Sequence, residues 1–152
     1  MSNFLFCDCG AKWQGIAPLF LRLATGAIFA MHGYQKLNEM GVEQFAGFLD
    51  SLGVPAAMFF AWVVITVELI GGIALIIGVL TRFLSILLCI DMLVAFFLVH
   101  LEKGFYLSNG GYEFVMILFA SALALSMTGA GALSLDSLFC GNKKPLQKSF
   151  AE

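Results

Sequence analysis

Hydrophobic residues along this chain gather into four long runs, separated by short polar or glycine-rich links. The runs are Ile16–Lys36, Ala56–Leu80, Phe83–Leu101 and Gly111–Thr128. A helix needs about 20 mostly apolar residues to cross the hydrocarbon of a bilayer, so the pattern predicts four membrane-spanning helices and no fifth. The fourth run is the shortest and is expected to gain a turn from its flanking glycines. Pro18 and Pro55 fall in the first turns of the first and second helices, where a missing N–H costs nothing. Thr81–Arg82 is so short a link that the second and third helices must form an antiparallel hairpin. Gly129, Gly131 and Ser134–Leu135–Asp136 end the fourth. The expected fold is all-α, a transmembrane four-helix bundle over residues 16–136, with a segment 1–15 before it and a basic tail 137–152 after it.

The longest link carries a second, shorter pattern. Phe45, Phe48, Leu49 and Leu52 recur at helical spacing, while Glu43, Gln44, Asp50 and Ser51 fall elsewhere. That is an amphipathic helix, either lying in the membrane interface or capping the mouth of the bundle.

Composition agrees with the pattern. Of the 152 residues, 61% are hydrophobic and 12% charged, which leaves too little charge to cover a soluble domain. A net charge of −2 argues against nucleic acid, because phosphate binding needs a basic surface. Met1–Trp13 has no basic start and contains Asp8, so it does not read as a cleavable signal. Basic residues set the expected orientation. With both termini in the cytoplasm, Lys12, Arg22, Arg82, Lys143, Lys144 and Lys148 lie inside, and Lys36 and Lys103 lie outside.

The informative residues are those with charge inside the spans, where each costs roughly 2.5–3.5 kcal/mol on insertion scales at the helix centre. Arg22, Thr25, Phe29, His32 and Lys36 share one face of the first helix, beside a small-residue stripe of Gly26, Ala30 and Gly33. Arg22 and Lys36 could instead snorkel to opposite interfaces. Glu68 falls near the middle of the second span and is expected to pair with Arg22, or to be protonated and hydrogen-bonded. A pair that merely fixes helix register is the plainer reading. His32, His100, Tyr112 and Glu113 lie near three helix ends at similar depth and form a candidate polar pocket for a ligand or for protons. Asp91 is nine residues from His100, on the opposite face of a regular helix, and is expected to point elsewhere. Cys7, Cys9 and Cys140 are weak candidates for a soft metal, and no metal site is expected. Cys89 reads as a packing residue.

These residues also resemble a known family. The run Arg22-Leu-Ala-Thr-Gly-Ala-Ile-Phe-Ala-Met-His32-Gly-Tyr-Gln-Lys36-Leu, followed by Leu52-Gly53-Val-Pro55, resembles the opening of the DoxX family. Glu68-Leu-Ile-Gly-Gly through Thr81-Arg82, then Gly111-Tyr112-Glu113-Phe and Gly129-Ala-Gly-Ala-Leu-Ser134-Leu-Asp136, match its later helices in order. The resemblance implies a four-helix protein of the bacterial inner membrane, associated in some members with quinone-linked or thiol-stress oxidoreductase complexes. It also places Arg22, His32, Lys36, Glu68, Arg82, Glu113 and Asp136 at the family's recurring polar positions, with Asp91, Cys7 and Cys9 outside the pattern.

The leading functional expectation is a redox-associated subunit with an outer-facing polar pocket for a quinone or lipid-like ligand. In that reading His32, His100 and Glu113 handle protons. Partners would be the lipid bilayer, a membrane oxidoreductase or other protein, and a second copy of the chain. The alternatives are a non-enzymatic membrane chaperone or assembly factor, and a small-solute transporter.

Overall fold

The computed structural model describes residues 15–139, all of them in helices or the links between helices. Helix α1 (Ile16–Tyr34) continues through a wider π-helical stretch, Gln35–Met40. The short α2 (Val42–Ser51) follows, then α3 (Ala57–Ile77). Helix α4 (Thr81–Ala95) runs on through a π-helical stretch, Phe96–His100, and a 3₁₀ turn, Leu101–Lys103. Helix α5 (Glu113–Thr128) and the short α6 (Leu135–Phe139) complete the chain. Counting their continuations, Ile16–Met40, Ala57–Ile77 and Thr81–Lys103 are long and apolar enough to cross a membrane, and α5 is a shorter apolar helix of 16 residues.

The four long helices run up, down, up, down, and glycines set how closely they approach. Helix α1 packs most extensively on α3, crossing where Gly26 and Gly33 meet Gly72 and Leu69. A Cβ added at Gly26 would sit 2.7 Å from the Gly72 carbonyl oxygen, and one at Gly33 would sit 2.5 Å from the Leu69 nitrogen. Small residues at such a crossing gain van der Waals contact between backbones, which drives helix association in lipid. The small-residue stripe of α1 is therefore used inside the monomer. Helix α4 packs chiefly on α5. Phe29, Leu75, Leu88, Met92, Leu118 and Leu125 fill the centre, and Cys89 is buried among them. Phe20, Met31, Phe59, Ile70, Phe97, Ile117 and Met127 face outward, as lipid-facing positions should.

Some boundaries differ from the sequence expectation. The α3–α4 turn falls at Gly78–Leu80, and Thr81–Arg82 already belongs to α4. Gly78 ends α3 in a left-handed conformation (φ 76°), which glycine adopts without penalty. Pro55 stands before α3 rather than in its first turn. The amphipathic link does form a helix, and its apolar side is turned onto the protein. Phe45, Ala46 and Leu49 of α2 are buried against Ala61 and Ile65 of α3. Of the two readings, α2 is the cap of the bundle mouth. The segment before residue 15, the tail beyond 139, and with them Cys7, Cys9 and Cys140, lie outside the described residues.

Candidate functional site

The charged residues of α1 and its π-helical continuation separate into two clusters at opposite ends of the bundle. Arg22 is buried (1% exposed) near the α1 start. Its Nη1 donates to the carbonyls of Leu75 and Ile76, and its Nη2 to those of Ala132 and Leu133. The first two are carbonyls in the last turn of α3, where a cation is favoured. The other two lie in the link that leaves α5. Asp136 completes the arrangement: its carboxylate accepts the N–H of Leu80 at 2.8 Å and of Thr81 at 2.9 Å, capping the start of α4. This end is a structural clamp joining α1, the α3–α4 turn and the exit of α5.

The expected Arg22–Glu68 pair does not form. Helix register explains why. In the antiparallel α1–α3 contact Arg22 stands level with Leu75 and Ile76, while Glu68 lies about 11 Å further along α3. That level belongs to Lys36, whose Nζ bonds Glu68 Oε2 at 2.5 Å. Lys36 therefore turns its stem inward rather than snorkelling out, and its ammonium lies 5.6 Å from the ring centre of Phe45 on α2. The contact is a cation–π one.

A cavity of about 300 Å³ opens over this pair. Phe45, Phe48, Leu49 and Leu52 roof it, and α1, α3, α4 and α5 wall it with Phe29, Met92, Leu98, Phe114 and Leu118. Its polar lining consists of His32, Lys36, Glu68, Asp91 and His100, with the Gly111 backbone. His32 packs beside Phe114, ring centres 6.1 Å apart. His100 Nδ1 donates to the Gly110 carbonyl at 2.6 Å. The Asp91 carboxyl lies within hydrogen-bonding reach of Glu68, and its Oδ2 is buried with no partner among the described residues.

Asp91 thus lines the same cavity as His100, against the sequence expectation. The π-helical stretch between them is the cause. The Leu101 N–H bonds to the Phe96 carbonyl, five residues back rather than four. One extra residue is accommodated in that turn, so the nine residues from Asp91 to His100 turn about as far as eight would, roughly 80° apart instead of 180°. A second π stretch, Gln35–Met40, begins beside Lys36 on the facing helix. Such stretches recur at functional sites.

Two members of the expected pocket do other work. Glu113 Oε1 accepts the N–H of Leu107 at 2.5 Å, fixing the link before α5. Tyr112 packs between Phe96 and Phe105, ring centres 5.1 and 5.6 Å apart. Neither lines the cavity, whereas Lys36, Glu68 and Asp91 do. The sequence signal for these three was present: all are charges inside apolar runs. Among the described residues, no group of three or more His, Cys, Asp or Glu side chains is placed to hold a metal.

Fold and site together define a multi-pass helical membrane protein with a polar cluster inside an apolar cavity. The chain belongs to the DoxX family, whose model matches residues 17–101. It is 35% identical over 129 residues to "Putative oxidoreductase CatD" of Bacillus subtilis, covering 85% of this chain and 91% of that one. It is 28% identical over 134 residues to "Inner membrane protein YqjF" of Escherichia coli, covering 88% and 98%. Identity to "Inner membrane protein YphA" of the same organism is 27% over 141 residues, covering 90% and 99%. No solved structure matches the chain. Family, relatives and apolar helices agree on a multi-pass protein of the bacterial inner membrane.

Proposed function

We propose that this protein is the ligand-handling membrane subunit of a redox system, and that its cavity holds the head group of a quinone or similar lipid-soluble ring compound. The observation that carries the reading is the placement of Lys36, Glu68 and Asp91, with His32 and His100, on the lining of an otherwise apolar cavity of about 300 Å³. That volume is at the small end of ligand pockets and suits a single-ring head. Charged groups are retained inside a span when they serve a ligand, a proton or one another. Here one ammonium faces two carboxyl groups, so the cluster is not closed on itself. The oxidoreductase name of the Bacillus subtilis relative supports the redox side of the reading.

The residues present fit such a head. Aromatic and aliphatic side chains on α1, α2, α4 and α5 would sandwich the ring and exclude water. Lys36 would donate to a ring oxygen, while Asp91 and His100 would accept or relay a proton. A bound quinone would supply two-electron chemistry that the side chains lack. In this reading Glu113 holds the α5 entry link rather than handling protons. The cavity end would face outward if both termini are cytoplasmic.

The test is native mass spectrometry of protein purified in mild detergent, with extraction and identification of bound small molecules. A stoichiometric quinone that is lost in the double variant Lys36→Met/Glu68→Gln is expected. A bundle that carries only phospholipid, and binds no added quinone, would sink the proposal.

A further inference from the structure

Beside the cavity lies a second space, a groove of about 230 Å³ between α2 and the far end of the α4 span. Phe48 and Leu52 of α2 form one side of it, and Phe97, Leu98 and Val99 of the π-helical stretch form the other. Glu102 and Lys103, in the 3₁₀ turn that ends the span, complete the lining. Phe48, Leu52, Leu98 and Val99 also line the cavity that holds the polar cluster, so the two spaces meet along these four side chains. Helix α2 packs chiefly on α3 and on the continuation of α1, which leaves its edge toward α4 for the groove. Phe48, Phe97 and Leu98 are exposed there. Two charged residues in succession belong where a span meets water, and the rest of the groove is apolar.

Size decides what kind of ligand the two spaces can share. A cavity of about 300 Å³ takes a single ring and little more. A chain attached to that ring has to leave, and the groove offers an apolar exit with walls in common. We infer that the ligand is a tailed one, an alkyl or isoprenoid quinone resident in the bilayer rather than a free water-soluble ring. Its tail passes between Phe48 and Leu52 on one side and Leu98 and Val99 on the other, and reaches lipid beside Phe97. The inference rests on the proposed function and extends it. Contact with the groove adds little affinity, because the surrounding lipid is as apolar as these side chains. The groove acts sterically, by letting a tailed ring seat its head.

The probe is decylubiquinone with a photoreactive diazirine at mid-tail, cross-linked to the purified full chain in mild detergent, with labelled residues read by peptide mass spectrometry. Label should fall on Phe48, Leu52, Phe97, Leu98 and Val99. An excess of the tailless benzoquinone head should displace it, since both heads compete for the cavity. Val99→Trp, which fills the passage, should weaken binding of decylubiquinone about tenfold and leave that of the tailless head within a factor of about two. Displaceable label on α1 or α5 instead would overturn the route of the tail while leaving the cavity as a quinone site. Groove label that the head does not displace would mean that the groove takes acyl chains by itself, and would overturn its link to the cavity. Unchanged affinity for decylubiquinone in Val99→Trp would overturn the passage. Binding of neither quinone would overturn the proposed function, and this inference with it.

Discussion

Arg22 and Lys36 stand on one face of α1, and they lead opposite lives. Arg22 is closed in: both terminal nitrogens meet carbonyls, four bonds in all, and among the described residues Nε alone lacks a partner. Its neighbours are backbone groups at the end of one helix and the exit of another. Lys36 has one carboxylate, one aromatic face and an open cavity, with the Asp91 carboxyl as a further group on the same lining. A membrane interior tolerates a charge in two ways. It can be surrounded by fixed partners, which makes it a joint. It can also be left partly unmatched, which keeps it available to something that comes and goes. The difference separates architecture from a working site more sharply than the presence of charge does.

The comparison breaks most visibly at Arg22. Arg22→Met should remove all four hydrogen bonds and lower the unfolding free energy in detergent by about 3 kcal/mol or more, read from thermal unfolding of the purified variant. An unchanged melting temperature would show that the clamp holds nothing. Gly78→Ala should cost about 2 kcal/mol in the same assay. Its Cβ would lie 2.5 Å from the Ser134 Cβ and 2.8 Å from Arg22 Nη1, on a backbone of positive φ. Asp136→Ala, which uncaps α4, should cost about 1 kcal/mol. At the other end, the double variant Lys36→Met/Glu68→Gln should unfold within about 1 kcal/mol of wild type, since a buried pair replaced as a whole is often neutral. The same variant should no longer retain a ligand in native mass spectrometry. If it melts far below wild type, the cavity end is as structural as the clamp and the contrast fails.

Much of the fold was legible because lipid demands long apolar runs, and a short link leaves a helix pair no choice but to double back, even though the turn itself falls at Gly78–Leu80 rather than at Thr81–Arg82. The amphipathic link showed its period equally well, although its period did not say whether lipid or protein would meet the apolar side. The partner of Glu68 was misread for want of register. Its mid-span depth was correct, but the Gly26–Gly72 contact, which sets the α1–α3 register, appears only in the fold. The separation of Asp91 from His100 failed for a different reason. A fixed 3.6-residue period cannot register a π turn, and nothing in Phe96–His100 announces one. Tyr112 and Glu113 were placed in the pocket by depth alone, and the link from Gly104 to Gly111 turned them to its own support. Backbone bonds from Tyr112 to Gly104 and from Glu113 to Phe105 tie that link to the start of α5.

The 16-residue α5 also bears on the membrane around the protein. At 1.5 Å per residue it spans about 24 Å, against roughly 30 Å of hydrocarbon in an ordinary bilayer. The greasy belt of the bundle is therefore uneven, tall along α1 and α4 and low along α5. Lipid tails beside α5 must shorten or the whole bundle must lean, each at a cost of a fraction of a kcal/mol per ångström. Bilayer thickness thereby becomes a force on the molecule, pulling harder on one flank than on the others.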